Sequence, residues 1–174
     1  MRNTTFTLAL LAVATVALLS GCNKQAPEAF LFDFYDNYLT LSCSEYDTPD
    51  YEQVQNCLHQ YLSQRLYDEL EQRRDFERDD WLDYDIFIQG QDCWPGICAE
   101  RITRVEETDW YDVTIALPDF SSRDSVVVRE HVFFYLQQGD HGWQIAAVDD
   151  LHNRVGSAPT KDEAALKQCQ MKNI

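Results

Sequence analysis

Hydrophobic and polar positions along the chain change period once, near residue 100. Before that point apolar residues recur at helical spacing. Leu31, Phe34, Tyr35 and Tyr38 fall at i, i+3, i+4 and i+7, which predicts a helix over Phe30–Leu41 with an aromatic face turned into a core. Ser44–Pro49 reads as a loop. Thr48 is the expected N-cap of a second helix, with Pro49 at its first position and Asp50 and Glu52 in its first turn. Val54, Cys57, Leu58, Tyr61 and Leu62 continue the apolar stripe. Ser63 either interrupts this helix or starts another that carries Leu66, Tyr67 and Leu70 into the charged stretch Glu69–Asp80.

After residue 100 the period is two. Ile102–Glu106 is a possible strand. Tyr111, Val113, Ile115 and Leu117 alternate with Trp110, Asp112, Thr114 and Ala116, the pattern of a half-buried strand. Pro118–Ser125 is a turn, and Val126–Gln137 a long strand. Val126, Val128, Val132, Phe134 and Leu136 lie on one face of it, and Val127, Arg129, His131, Phe133 and Tyr135 on the other. Gln138–Gly142 makes a hairpin loop, and Trp143, Ile145 and Ala147 begin a last strand ending near Asp149–Asp150. Thr160-Lys161-Asp162-Glu163 is a capping box opening a short C-terminal helix, Asp162–Met171. Helices followed by an antiparallel meander predict an α+β fold, with N-terminal helices packed on one sheet face. The other face is mixed and is left for solvent, a partner or a shallow cavity.

The first residues stand apart from this pattern. Arg2 precedes an almost unbroken apolar run, Phe6–Leu19, of signal-peptide length and short for a spanning helix. Leu19-Ser20-Gly21-Cys22 then resembles a bacterial lipobox. The resemblance implies cleavage before Cys22 and acylation of its sulfur and new amino group, enough for stable anchoring. Asn23 in place of Asp implies, by the enterobacterial sorting pattern, the outer membrane. The organisation expected is a signal peptide over 1–21, a lipidated tether over 22–29 and a single α+β domain over 30–174.

Composition narrows the function. The 174 residues fit one domain, and 45% hydrophobic with 13% aromatic content is too apolar for a disordered acidic tail. The net charge of −16 argues against nucleic acid and against adhesion to anionic lipid through a basic patch. Loss of residues 1–21 removes one Arg and no acid, taking −16 to −17. That acidity serves solubility or attracts a basic partner.

Six cysteines less the lipidated Cys22 leave Cys43, Cys57, Cys93, Cys98 and Cys169. An exported, oxidising location favours disulfides. The preferred pairing is Cys43–Cys57, worth about 3 kcal/mol by loop closure, with Cys93–Cys98 pinching Trp94-Pro95-Gly96-Ile97 around a Pro-Gly turn. Cys169 is then free, or it displaces one of these partners. No metal or cofactor is expected. Cys57, His59, Cys93 and Cys98 lack ordinary zinc spacing. Asp79, Asp80, Asp83 and Asp85 lack the glycine and distal Glu of a calcium loop.

Phe34-Tyr35-Asp36-Asn37-Tyr38-Leu39, Tyr61-Leu62-Ser63 with Leu66, Asp83-Tyr84-Asp85, Gln91-Asp92 and Trp143–Val148 occur in an order that resembles an uncharacterised family of enterobacterial periplasmic proteins and lipoproteins. The resemblance covers roughly 30–151. It implies a helix-plus-curved-sheet domain similar to the nuclear transport factor 2-like (NTF2-like) and cystatin-like folds. Some relatives are named for immunity against type VI secretion amidases. The family supplies no catalytic residues to carry over. From the residues themselves, the sharpest enzyme hypothesis is His131 paired with Asp92 or Asp112, since His131 alone among His59, His131, His141 and His152 lies mid-strand. No nucleophile elbow or Cys–His motif accompanies it. The favoured expectation is a non-catalytic binding or accessory module of the envelope. An inhibitor of, or immunity protein against, a peptidoglycan hydrolase is the alternative. Candidate partner-binding residues are Gln91, Asp92, Trp94, Arg129 and His131. Trp94 either projects as a plug or packs on its own domain.

Overall fold

Pro27 opens the first helix, α1 (Pro27–Ser42), which buries Phe30, Leu31, Phe34, Tyr35 and Tyr38. Proline suits this position because its missing N–H has no helical acceptor to lose. The computed structural model describes residues 25–43, 50–118, 127–150 and 152–158. The expected signal segment, Cys22, Thr48, Pro49, Cys169 and the expected C-terminal helix lie outside these. Of the expected tether, Gln25 and Ala26 are extended while Pro27–Ala29 already belong to α1. The Trp143 indole N–H donates to the Gln25 carbonyl at 2.9 Å, holding this entry against the sheet. Among the described residues, no helix is long and apolar enough to cross a membrane.

The second helix, α2 (Tyr51–Tyr61), is capped by Asp50 and not by the expected Thr48: the Asp50 carboxylate accepts from the Glu52 and Gln53 N–H groups. A carboxylate there satisfies orphan donors and meets the positive helix end. Ser63 settles the open alternative. Its hydroxyl accepts from Leu66 N–H and caps a third helix, α3 (Gln64–Gln72). The Ser63 N–H also donates to the Ile145 carbonyl at 2.8 Å, joining the α2–α3 corner to the sheet.

The strands are β1 (Cys98–Arg104), β2 (Trp110–Pro118), β3 (Val127–Gly139), β4 (Gly142–Asp149) and β5 (Arg154–Gly156), in one antiparallel sheet of order β1-β2-β3-β4-β5. Irregularities at Ala99/Arg101 and Tyr135/Leu136 shift the register; such bulges bend a sheet and sharpen its twist. The fold is therefore α+β, helices on an antiparallel sheet, as the change of period predicts. β1 starts earlier than expected, and β5, three residues long, has no period to reveal it.

The main core lies between helices and sheet. Phe34 sits at its centre, with ring centroids of Tyr35, Tyr38, Tyr61, Phe87 and Phe134 within 6.1 Å. The expectation of a half-buried β2 is corrected: Trp110 to Ala116 are buried on both faces. On the side away from the helices, Val105, Trp110, Phe133 and Ala147 form a second small core, partly covered by Tyr135 and Ala158. The Arg154 guanidinium lies 5.0 Å from the Trp110 ring centroid.

Candidate functional site: the Trp94 turn and its acidic groove

Between α3 and β1 the chain drives Ile86, Phe87 and Ile88 into the core as an irregular plug. Two bonds from α1 fix it. Tyr35 O–H donates to the Phe87 carbonyl at 2.8 Å, and Tyr38 O–H donates to the Asp85 carboxylate at 2.5 Å. Asp85 also accepts from the Phe87 N–H at 2.8 Å. Burial pushes the Asp85 carboxyl above its usual range, against the lowering effect of these donors. The Tyr38 phenol is pushed well above its ordinary value, by burial first and the neighbouring Asp85 charge second, so it stays a donor.

The chain turns back at the Asp85–Gly90 bridge and leads to Cys93, which meets Cys43, the residue that closes α1. The two form a disulfide, with Cα atoms 4.8 Å apart. The expected pairs Cys43–Cys57 and Cys93–Cys98 are thus corrected. Cys57 points into the core from the buried face of α2, and burial, helped by the Asp33 charge, pushes its thiol up to about 11. Cys98 is an exposed thiol at the start of β1. The zinc alternative falls apart with the pairing, and His59 stacks on Tyr67 at 3.7 Å between ring centroids.

Beyond Cys93 the chain turns at Trp94-Pro95-Gly96-Ile97, closed by Ile97 N–H to the Trp94 carbonyl at 3.4 Å. Gly96 has φ +94°, the left-handed value that the third position of a type II turn requires, and Pro95 supplies the second. Trp94 is 49% exposed. With Gln91, Asp92, Ser42, Asp85 and Ile88 it lines a shallow groove of about 430 Å³. An adjoining groove of about 280 Å³ shares Asp85 and Gln91 and continues past Asp83 and Tyr84 to Arg74. Of the residues singled out from sequence, Gln91, Asp92 and Trp94 therefore belong together.

Arg129 and His131 do not join them. Both lie on β3, facing away from the helices. Arg129 forms a two-pronged ion pair with Glu100 at 2.6 and 3.0 Å, beside a third groove lined by Glu100, Arg101, Thr114 and Arg129. His131 Nδ1 lies 2.7 Å from the Asp112 carboxylate, so of the two partners offered by sequence it takes Asp112 and not Asp92. The pair can orient an imidazole, as a general base requires. His131 lines none of these three grooves. The β3–β4 ladder ends at Phe133–Asp149. Beyond it the Gln89 side-chain amide donates to the His131 carbonyl at 2.6 Å and to the Asp150 carbonyl at 3.4 Å. Its role as a substitute strand partner carries no sequence signal, and Gln89 sits at φ 52°. Sequence reading also missed Tyr84, whose hydroxyl donates to the buried Asp150 and accepts from Asn153. In the sequence Asp83-Tyr84-Asp85 stands out as part of a resemblance and its two acids as part of an incomplete calcium-loop pattern, neither of which points to Asp150.

A scan against protein-family models finds no match, and no curated protein matches the chain. Among solved structures the chain is similar to a protein of unknown function from Bacteroides thetaiotaomicron. Identity is 15% and the TM-score 0.55, over 79% of this chain and 98% of that chain. A likeness at that identity speaks for the fold alone.

Proposed function

We propose that this chain is a non-catalytic binding module of the bacterial envelope, anchored through Cys22 in the outer membrane, that engages a basic protein partner through the Trp94 turn. The observation that carries this reading is a half-exposed tryptophan on a disulfide-tied turn, beside two adjoining grooves whose exposed acids are Asp83 and Asp92. An aromatic anchor whose backbone is already ordered loses little entropy on binding. The acidic surroundings and a net charge of −16 steer a basic partner. Pull-down from solubilised envelope with the anchored protein tests it. A stable partner is retained at low salt, weakened at high salt and lost with Trp94→Ala. Retention that ignores both salt and Trp94 rejects this surface.

A second reading, immunity against a periplasmic peptidoglycan hydrolase, is favoured by the same charge, because enzymes that work on an anionic wall are commonly basic. Co-expression with a panel of periplasmic amidases and lysozyme-like effectors tests it, and absence of protection across the panel removes it.

A further inference from the structure

We infer that the tip of the β3–β4 hairpin is the face of the domain that rests on the lipid surface, and that the Trp94 turn is presented at the opposite end, toward the aqueous periplasm. This orientation rests on the Cys22 anchor proposed above. Cys22 stands three positions before Gln25 in the sequence. That length of chain reaches about 11 Å when fully extended, so Gln25 stays within this distance of an anchored Cys22. Gln25 is in turn fixed to the sheet, because its carbonyl accepts from the Trp143 indole N–H at 2.9 Å. Trp143 pairs with Gln138, next to the Gly139–Gly142 pair that closes the hairpin. β2 begins opposite Tyr135, so the segment of β3 from Leu136 to Gly139 projects beyond it. The hairpin tip is therefore both an extremity of the sheet and the point where the tether arrives.

The Trp94 turn lies at the other end by two separate rulers. The strand that follows it starts at Cys98, which pairs with Ala116, and Ala116 pairs with Arg129. From Arg129 to Gly139 the rise of an antiparallel strand spans about 33 Å. The helix α1 starts beside Gln25, has 16 residues and ends at Cys43, which is bonded to Cys93; a helix of that length spans about 24 Å. Charge selects the same orientation. The chain has 30 acids, yet Asp140 alone falls within Gln137–Gln144, and the tether adds Lys24. The helical side exposes Asp33, Asp36, Glu52 and Asp68, which an anionic lipid surface repels. Glu106, Glu107 and Asp109 of the β1–β2 loop are set back beside Leu136, whose N–H donates to the Asp109 carbonyl at 3.0 Å. Their setback from the tip is about 10 Å, more than the Debye length of about 8 Å at physiological salt. Among the described residues, no large exposed hydrophobic side chain lies in the hairpin. The tip thus meets headgroups without inserting, and the acyl chains hold the domain. The Trp94 turn then faces a partner that is itself in the aqueous phase and not one buried in the bilayer.

The test reads contact with lipid and not partner capture, so the two fail separately. The full chain, purified with its anchor, is reconstituted into vesicles of phosphatidylethanolamine and phosphatidylglycerol. In three separate chains a photoreactive p-benzoylphenylalanine replaces exposed His141 at the tip, Trp94 at the far end, or Phe76, which is 75% exposed in the loop after α3. After irradiation, phospholipid adducts are counted by mass spectrometry. The expected result is adducts at position 141 and background at positions 76 and 94. Insertion of about twelve Gly and Ser residues between Asn23 and Lys24 frees the domain from the surface, and the yield at position 141 should fall several-fold. Adducts at 76 or 94 that equal those at 141, their absence at 141, or a yield at 141 unchanged by the longer tether each overturn the inference. The mass of the N-terminal peptide reports acylation of Cys22 in the same sample. A failed anchor is then seen as an unacylated cysteine, and a failed orientation as an acylated chain with the wrong adducts.

Discussion

Replacing Cys43 by alanine separates the two pairings by their loop lengths. The Cys43–Cys93 bond closes a sequence separation of 50 residues. In the chain-entropy treatment a closure of that size stabilises by about 4 kcal/mol, and one across the short Trp94 turn by about 2 kcal/mol. Cys43→Ala frees Cys93 to bond Cys98, so it should lose the difference, about 2 kcal/mol. Cys43→Ala/Cys98→Ser has neither bond available and should lose the full amount, about 4 kcal/mol. Cys98→Ser alone keeps the long closure and should unfold like the parent. Urea unfolding of the four proteins, followed by tyrosine and tryptophan fluorescence, gives the comparison. The m-value should rise where the long loop is open, because the unfolded chain is then less compact. Equal stability of Cys43→Ala and the double variant would show that no second bond replaces the first. Destabilisation of Cys98→Ser as large as that of Cys43→Ala would refute the pairing itself.

Phe34→Ala removes the ring at the centre of the aromatic core, which is fully buried, and should cost about 3–5 kcal/mol in thermal or urea unfolding. Asp85 gives a pH dependence of defined sign. Burial raises its carboxyl in the folded state, so its contribution is fully present below the ordinary aspartate range and is lost as pH rises through the raised value. The urea midpoint of the parent should fall across that window relative to Asp85→Asn; parallel profiles would remove Asp85 as the source. His131→Ala takes one partner from the Asp112 carboxylate, itself 2% exposed, and should cost about 1–3 kcal/mol of stability without altering partner capture, measured by calorimetry and by the same pull-down.

Those parts of the fold legible in the sequence are the ones decided locally. The stripe from Leu31 to Tyr38 and the alternation from Trp110 to Leu117 each report the period of one element, and the structure has a helix and a strand there as expected, although Trp110 to Ala116 meet water on neither face. The polar partner in that alternation was misread for a physical reason. Asp112 and Thr114 look like residues of a wet face, yet both are buried, Asp112 with His131 for a partner. A polar residue can be buried wherever its hydrogen bonds are met, and periodicity does not report where they are met. Trp110 shows the same limit from the apolar side, since Phe133, Ala147 and Arg154 reach it only once three further strands are aligned.

Cysteine pairing lies further still from local signals. Cys93 and Cys98 flank a Pro-Gly turn, so sequence distance favours joining them. What brings Cys93 to Cys43 instead is the docking of Asp85–Ile88 along α1, and that depends on contacts between Tyr35 and Phe87, 52 residues apart, and between Tyr38 and Asp85, 47 apart. Local entropy and tertiary packing thus favour different partners for the same sulfur. Cys98 is the residue that sequence distance alone would have chosen, and it is left as an exposed thiol. Unfolding strips away the tertiary preference and leaves the entropic one, so a trace of thiol in denaturant should move the bond from Cys43 to Cys98. Refolding under the same conditions should move it back, and a bond that stays on Cys43 in denaturant would mean that loop entropy does not oppose the native pair.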